Sequence, residues 1–316
     1  MNKKSDYLVD VVMVTYNQEQ YIAQAIESVL MQKTDFPIRL IIGEDCSTDN
    51  TRNICLNYAK KYPAQIRLIL HDKNRGLLQN YKSVFDACSA KYLAILEGDD
   101  YWIDEFKLQK QVDVLEKNKE VGLVHTNCNL LYESGKINVG KIYNGEAITQ
   151  NAFNDLIDKN YIRPVTVVVR KRLFDKFVCI DKYIKMNFKT LDYPFWLSIA
   201  KHTQFYYIDD ITANYRIHDK SISHSNQYHK SVIFYQSTYK IRRFFLKDNQ
   251  KVKNNYVVDR LTLAMHFKKY RDVMRLKKFL HIKNLKTLII KALATNNYSV
   301  NIYHQFNTKR QNFIKN

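Results

Sequence analysis

The chain predicts an α/β fold, a mostly parallel sheet with helices on both faces, followed by a smaller helical region at the C-terminal end. Three observations carry this expectation. Strand and helix signals alternate over the first 130 residues with short connections. An acidic tract, Glu97-Gly98-Asp99-Asp100, stands directly behind the apolar run Tyr92-Leu93-Ala94-Ile95-Leu96. The charge is split: of a net +19 over 316 residues, Lys230 to Asn316 hold 20 Lys/Arg against three acids, leaving 30 basic and 28 acidic residues in the first 229. This places a boundary near residue 225, with a nearly neutral domain at 1–225 and a basic, mainly helical region at 226–316.

Each element has its own signal. Val9 to Val14 reads as the first strand. Asn17 is placed as the cap of a helix, with Gln20 at the capping-box position and Ile22, Ala25, Ile26, Val29 and Leu30 on one apolar stripe. Arg39 to Ile42 is the second strand, then the loop Gly43 to Asn50, with Asp49 or Asn50 capping a helix that turns Ile54, Tyr58 and Ala59 inward. Ile66 to Leu70 is the third strand and leads through Asn74-Arg75-Gly76 into a helix carrying Tyr81, Val84, Phe85 and Cys88. Tyr92 to Leu96, an apolar run without a polar break, is a strand buried on both faces. A helix is expected from beyond Asp104 to about Lys117, then short strands at Leu123-Val124 and Asn129 to Tyr132, a turn at Ser134-Gly135 and a buried strand at Thr166 to Val169. Pro194 suits the first turn of a helix containing Trp196, Leu197 and Ala200, and Ile211 to Tyr215 is a further strand. Beyond His224 the period is helical, with Val257, Leu261, Ala264, Met265, Val273, Leu276 and Leu280 inward.

Composition excludes several classes. No window approaches the apolar run of about 18 residues that a membrane span needs, and the N-terminal apolar stretch is broken by Asp10, which argues against a secretory signal. The five cysteines are scattered and odd in number, with no CxxC pair, which fits reduced thiols in a cytoplasmic protein better than a disulfide frame or zinc site.

The chemistry is expected at the C-terminal ends of the strands, where open α/β sheets bind ligands. Three carboxylates within four residues repel one another unless a hard divalent cation, Mg²⁺ or Mn²⁺, sits among them; a solvated acidic turn is the competing reading. The loop from Glu44 to Thr51 follows a strand and opens a helix, but it lacks the glycines of a dinucleotide fingerprint. Asp45 there has the chemistry to accept hydrogen bonds from a base or ribose.

Val14-Thr15-Tyr16-Asn17, the spaced Glu44, Asp45, Ser47, Asp49 and Thr51, Asn74 with Gly76, and Glu97-Gly98-Asp99-Asp100-Tyr101-Trp102 stand behind successive strands. Joined by Asp192-Tyr193-Pro194-Phe195-Trp196, this order resembles the inverting family-two glycosyltransferases of GT-A fold over about residues 8 to 225. The resemblance implies transfer of a sugar from a nucleotide diphosphate donor, usually a uridine one, in bacterial surface polysaccharide or glycoconjugate assembly. It implies that Thr15, Tyr16 and Asn17 border the nucleoside, that Asp45 meets the base, and that Asn74 and Gly76 belong to the donor site. Glu97 and Asp99 take the two ends of the family's D-x-D motif, with Asp99 meeting the metal and Asp100 near the donor sugar. Glu97 departs from the usual Asp. Asp192 matches the general base that inversion requires, although this chain has Leu191 where the family commonly has Glu; the competing reading is a helix cap. Arg216-Ile217-His218 resembles a Tyr-Arg-x-His segment in which His218 joins the metal and Arg216 faces the diphosphate.

Two further readings stand beside this one. A GT-A-like nucleotidyltransferase should carry a Gly-rich, basic loop after the first strand, and Tyr16-Asn17-Gln18-Glu19-Gln20 is not that. A basic nucleic-acid-binding or scaffold protein would use the C-terminal charge, but no recognised nucleic-acid module accompanies it. The same charge suits a peripheral contact with an anionic membrane at its inner face, near a glycan or lipid-linked acceptor. A packed helical subdomain with a solvated basic face is the plainer account of that region.

Overall fold

The computed structural model describes residues 6–138, 147–149, 151–218, 227–247 and 249–280. The proposed boundary at 225/226 and the basic residues beyond 280 lie outside them. Two compact units result, Met1–Arg216 and Ile217–Asn316.

In the first unit, β1 (Val9–Thr15), β2 (Ile38–Glu44), β3 (Ile66–Leu70) and β4 (Tyr92–Ile95) alternate with α1 (Ile22–Leu30), α2 (Thr51–Lys61) and α3 (Leu77–Asp86). These four strands are parallel in the order β3-β2-β1-β4, with Thr15 opposite Glu44 and Val12 opposite Ile95. All seven residues of β1 are buried, as a strand covered on both faces requires. Its one charge, Asp10, is met by the Arg39 guanidinium and by the backbone N–H groups of Ser89 and Ala90, so the buried carboxylate is compensated.

The other half of the sheet is antiparallel. After β5 (Tyr101–Trp102) and α4 (Lys107–Lys117) come β6 (Val121–Tyr132), β7 (Ile137–Asn138), β8 (Ile148–Thr149), α5 (Ala152–Asp158) and β9 (Val167–Arg170). Next in the chain are α6 (Lys171–Phe177), α7 (Ile180–Lys185), α8 (Asp192–Ile199) and β10 (Gln204–Ile217). The sheet continues from β4 as β9-β6-β10-β5, with β9 antiparallel to both β4 and β6. Several local expectations change. The two short strands expected between 123 and 132 are one 12-residue strand, which lies between β9 and β10 and pairs with β9 over Leu123 to His125 and with β7 at Leu130 and Leu131. The strand expected at 211–215 runs over 14 residues, with β6 and β5 as neighbours and β8 pairing its start. Pro164–Thr166 is a 3-10 turn, so β9 begins at Val167. Asn17 does not cap α1, whose cap residue is Tyr21: Asn17 sits at φ 54°, with its side chain turned to the next loop.

The main core runs through β1, β4, β6 and β9 against α1 and α4, including Val11, Met13, Ile26, Leu96, Trp102, Leu108 and Val168. Trp102 donates from Nε1 to the Val165 carbonyl at 2.9 Å, fixing β5 beneath the acidic tract. In the second unit, α9 (Tyr228–Leu246), α10 (Gln250–His266) and α11 (Tyr270–Leu276) succeed one another. Leu261, Ala264, Met265, Val273 and Leu280 form a core there, the stripe read from the sequence. Arg242 pairs with Asp259 across α9 and α10 at 3.1 Å. Among the described residues no helix is long and apolar enough to cross a membrane.

His125, buried on β6 beside the rings of Tyr161 and Tyr207, provides a test of this core. Burial pushes its imidazole down to about 4, against the weaker opposing effect of a hydrogen bond that the ring donates to the Thr126 backbone. The unfolded chain therefore binds the proton first, and stability is lost as pH falls from about 6.5 through about 4. Between pH 7 and pH 5 the expected loss from this group is about 2 kcal/mol. Urea midpoints of His125→Phe should fall less over that interval than those of wild type; equal slopes would remove His125 from the acid response.

Candidate active site

Three loops at the C-terminal edge of the parallel strands are stitched together by polar side chains. Asp45 donates its backbone N–H to the Thr15 carbonyl at 3.1 Å. Its carboxylate accepts the N–H of Arg75 on Oδ1 and of Gly76 on Oδ2, both at 2.8 Å. Gly76 stands at φ 83°, a conformation that favours glycine, immediately before α3. Asn17 accepts from Thr48 N at 2.8 Å and donates its own N–H to Ser47 Oγ at 3.0 Å. Behind them the buried Glu44 pairs with Arg52 and accepts from Ser47 N at 2.6 Å. Asp49 accepts from Thr51 N at 3.0 Å, at the entry to α2. Tyr16, with 41% of its surface exposed, and the exposed Asn74 stand at the rim of these loops.

The acidic tract continues the line of β4. Leu96 and Gly98 donate to the carbonyls of Val12 and Val14 at 3.0 and 3.1 Å. A Cβ on Gly98 would lie 2.6 Å from Gln18 Oε1 and 3.0 Å from Thr15 Cβ, so a larger residue there would have to displace the Gln18 side chain and crowd the loop after β1. The chain then turns, with Asp100 N donating to the Glu97 carbonyl at 3.1 Å. One oxygen from each of Glu97, Asp99 and Asp100 lies within 4.8 Å of the others.

The electrostatics of that cluster are unbalanced. Glu97 Oε1 accepts from Tyr81 Oη at 2.8 Å, yet burial, then the charges of Asp99 and Asp192, push Glu97 up to about 8. Asp100, only 1% exposed, is raised by burial and by Asp99 and Glu97, against the opposing influence of Arg216. Its Oδ1 accepts the Arg216 backbone N–H at 2.7 Å, while its buried Oδ2 has no hydrogen-bond partner. Such an orphan acceptor is uncommon, and a divalent cation would satisfy it. A hard, all-oxygen set of three carboxylates fits Mg²⁺ or Mn²⁺.

Arg216 is enclosed rather than extended into solvent. Its guanidinium lies between the rings of Tyr21 and Tyr101, at 4.8 and 4.6 Å from their centroids, and donates to the Asp99 carbonyl and to Gln24 Oε1. It thus holds the backbone of the acidic tract. His218 stands just beyond β10, is buried, and falls in the second unit; among the described residues the cluster suited to a cation comprises Glu97, Asp99 and Asp100. Asp192 is the first residue of α8 and its carboxylate is held at both oxygens, by Asn160 Nδ2 at 3.0 Å and by the Thr190 hydroxyl. The cap position itself is Leu191, with no side-chain cap bond.

Tyr81, Gln24, Asn160 and Thr190 join the site without being marked by the sequence pattern. Tyr81 reads as part of an apolar stripe on α3, and only its hydroxyl hints at a polar partner. Thr190, two residues before Asp192, is a local signal; Asn160 and Gln24 carry none.

The glycosyl transferase family 2 model matches residues 10–159. An uncharacterised protein of Mycobacterium tuberculosis is 33% identical over 221 residues, 69% of this chain; the chain spans 61% of that relative's length. The Escherichia coli UDP-Glc:alpha-D-GlcNAc-diphosphoundecaprenol beta-1,3-glucosyltransferase WfgD is 30% identical over 225 residues, covering 71% of this chain and 82% of its own. Among solved structures, a mannosyltransferase from Pyrobaculum calidifontis in complex with GDP-Man and Mn²⁺ superposes with a TM-score of 0.57 at 12% identity, over 96% of this chain and 88% of that one. That last likeness concerns the GT-A fold alone, whereas the sequence relationship to WfgD across most of its length carries descent. The chain belongs to glycosyl transferase family 2.

Proposed function

We propose that the protein is a metal-dependent inverting glycosyltransferase that moves a sugar from a nucleotide diphosphate donor, a uridine one, to a hydroxyl of a glycan or lipid-linked acceptor. The single observation that carries this reading is the gathering of Glu97, Asp99 and Asp100 at the end of β4, with Asp192 near enough to raise Glu97. WfgD, whose name gives a UDP-glucose donor and a diphosphoundecaprenol-linked acceptor, supports the choice of substrate class.

In this reading Thr15, Tyr16, Asn17 and Asp45 border the nucleoside, Asn74 and Gly76 the donor, and Asp100 the sugar. Asp99 and its neighbours would hold Mn²⁺ or Mg²⁺. When bound, that ion supplies positive charge to the departing diphosphate. Arg216 keeps the carboxylates in register by holding the Asp99 carbonyl and the Asp100 side chain. Asp192 takes the proton from the acceptor hydroxyl as its oxygen attacks the anomeric carbon from the face opposite the leaving diphosphate, so one displacement inverts the centre.

Residues 1–225 are read as the catalytic domain and 226–316 as a basic, mainly helical region, for which a peripheral contact with an anionic inner membrane face, near a lipid-linked acceptor, is proposed beside the plainer role of a solvated basic face. A panel of UDP-, GDP- and dTDP-linked sugars, scored for nucleotide release to water with Mn²⁺ or Mg²⁺, tests the whole reading. Release from a UDP-sugar that stops in chelator is expected. Absence of release from every donor would overturn it, and release from GDP-sugars alone would move the donor assignment.

A further inference from the structure

We infer that Asn160, with Thr190, is a positioning residue for the Asp192 carboxylate. The inference rests on the reading of Asp192 as the base.

The geometry is specific. Asn160 lies in the loop after α5, 32 residues before Asp192, and its Nδ2 donates to Asp192 Oδ2 at 3.0 Å. The Thr190 hydroxyl donates to Oδ1. Each carboxylate oxygen thus has one donor from a different direction, and the plane of the carboxylate is set by two points. The orientation of the amide is not arbitrary, since a carboxylate only accepts and the NH₂ end must face it. That choice leaves Asn160 Oδ1 buried with no hydrogen-bond partner.

A side chain present only for stability would not be arranged in this way. A buried acceptor without a donor opposes folding, and an apolar residue would relieve it. Asn160 therefore violates a local rule of packing while making one productive contact, and that contact is with the candidate base. Local conflicts of this kind are expected where function outweighs stability. A general base must be held at a hydrogen-bond distance and direction from the proton it takes, so a carboxylate free to rotate would lose rate without losing donor affinity.

The test uses the full chain and the panel sugar nucleotide that wild type hydrolyses fastest. Asn160→Ala and Thr190→Val are each expected to lower kcat roughly 10- to 100-fold, the range seen when an outer partner of a working side chain is removed. KM for the donor should stay within about threefold. Thr190→Ser, which keeps the hydroxyl, should restore most of the rate. Asn160→Ala should melt within about 2 °C of wild type or above it. In an Asp192→Asn background, adding Asn160→Ala should cost nothing further, because the group it positions is already disabled.

Three results would overturn the inference: kcat within about threefold of wild type in both single variants, a melting temperature that falls in step with kcat in both Asn160→Ala and Asn160→Ser, or a full additional loss in the double variant. Failure of the underlying reading looks different. An active Asp192→Asn enzyme would refute the base, whereas an inactive one beside active Asn160 and Thr190 variants would refute the positioning alone. No turnover of any donor overturns the transferase reading and this inference with it.

Discussion

Asp192→Asn is expected to bind the nucleotide donor as wild type does and to lose roughly 10²- to 10⁴-fold in transfer, the contribution of a positioned general base. The substitution changes little else. Asp192 begins α8 without acting as its cap, and its carboxylate contacts are the side chains of Asn160 and Thr190, so the helix retains its start. An asparagine keeps the volume and can still accept at its carbonyl oxygen, which separates loss of the base from loss of structure. Donor affinity by calorimetry and turnover with the best panel donor are the two measurements. Transfer within about threefold of wild type would assign Asp192 to structure and send the search for a base elsewhere.

Binding of UDP should depend strongly on the cation, weakening at least about tenfold, or by about 1.4 kcal/mol, in excess EDTA relative to Mn²⁺ or Mg²⁺. The reason is electrostatic. A diphosphate approaching Glu97, Asp99 and Asp100, whose oxygens lie within 4.8 Å of one another, meets a carboxylate cluster with no cation to offset it, even though burial and mutual repulsion raise Glu97 and Asp100 toward their neutral forms. A divalent ion held by these carboxylates would supply positive charge to the diphosphate and would give the unpartnered Asp100 Oδ2 a partner. Asp99→Ala should erase most of the difference between the two conditions. Asp45→Ala is the control: with Asp45 proposed to meet the base and not the cation, the substitution should weaken UDP in both conditions and leave their ratio intact. Equal affinity with and without chelator, or an Asp99→Ala protein indistinguishable from wild type, would defeat the metal assignment.

Much of this site is legible along the chain because its signals are local. Tyr92 to Leu96 is an unbroken apolar run, so it is a buried strand, and the carboxylates behind it emerge at the strand end. Gly98 and Gly76 stand where a side chain would collide or where a positive φ is needed. The apolar stripe from Leu261 to Leu280 is helical in period and forms a helical core. Less legible are the long strands β6 and β10, whose polar residues, such as Asn127 and Asp209, interrupt the apolar pattern. Those two side chains bond each other at 2.9 Å across the sheet, a contact from the exposed Asp209 that gives the buried Asn127 a partner and that neither segment reveals alone.

The sequence by itself determined the α/β class, the four parallel strands, the position of the carboxylates at a strand end and the helical character of the second unit, since these arise from apolar periodicity and from where polar residues interrupt it. Tertiary structure alone decided the antiparallel half of the sheet and the partners of the reactive groups. Tyr81 reaches Glu97 across 16 residues, Asn160 reaches Asp192 across 32, and Arg216 reaches Asp99 across 117. Such pairings depend on which strand lies beside which and on where a loop returns. Many chain segments carry an asparagine or a tyrosine, and only the fold selects the one whose donor arrives at a partly buried carboxylate.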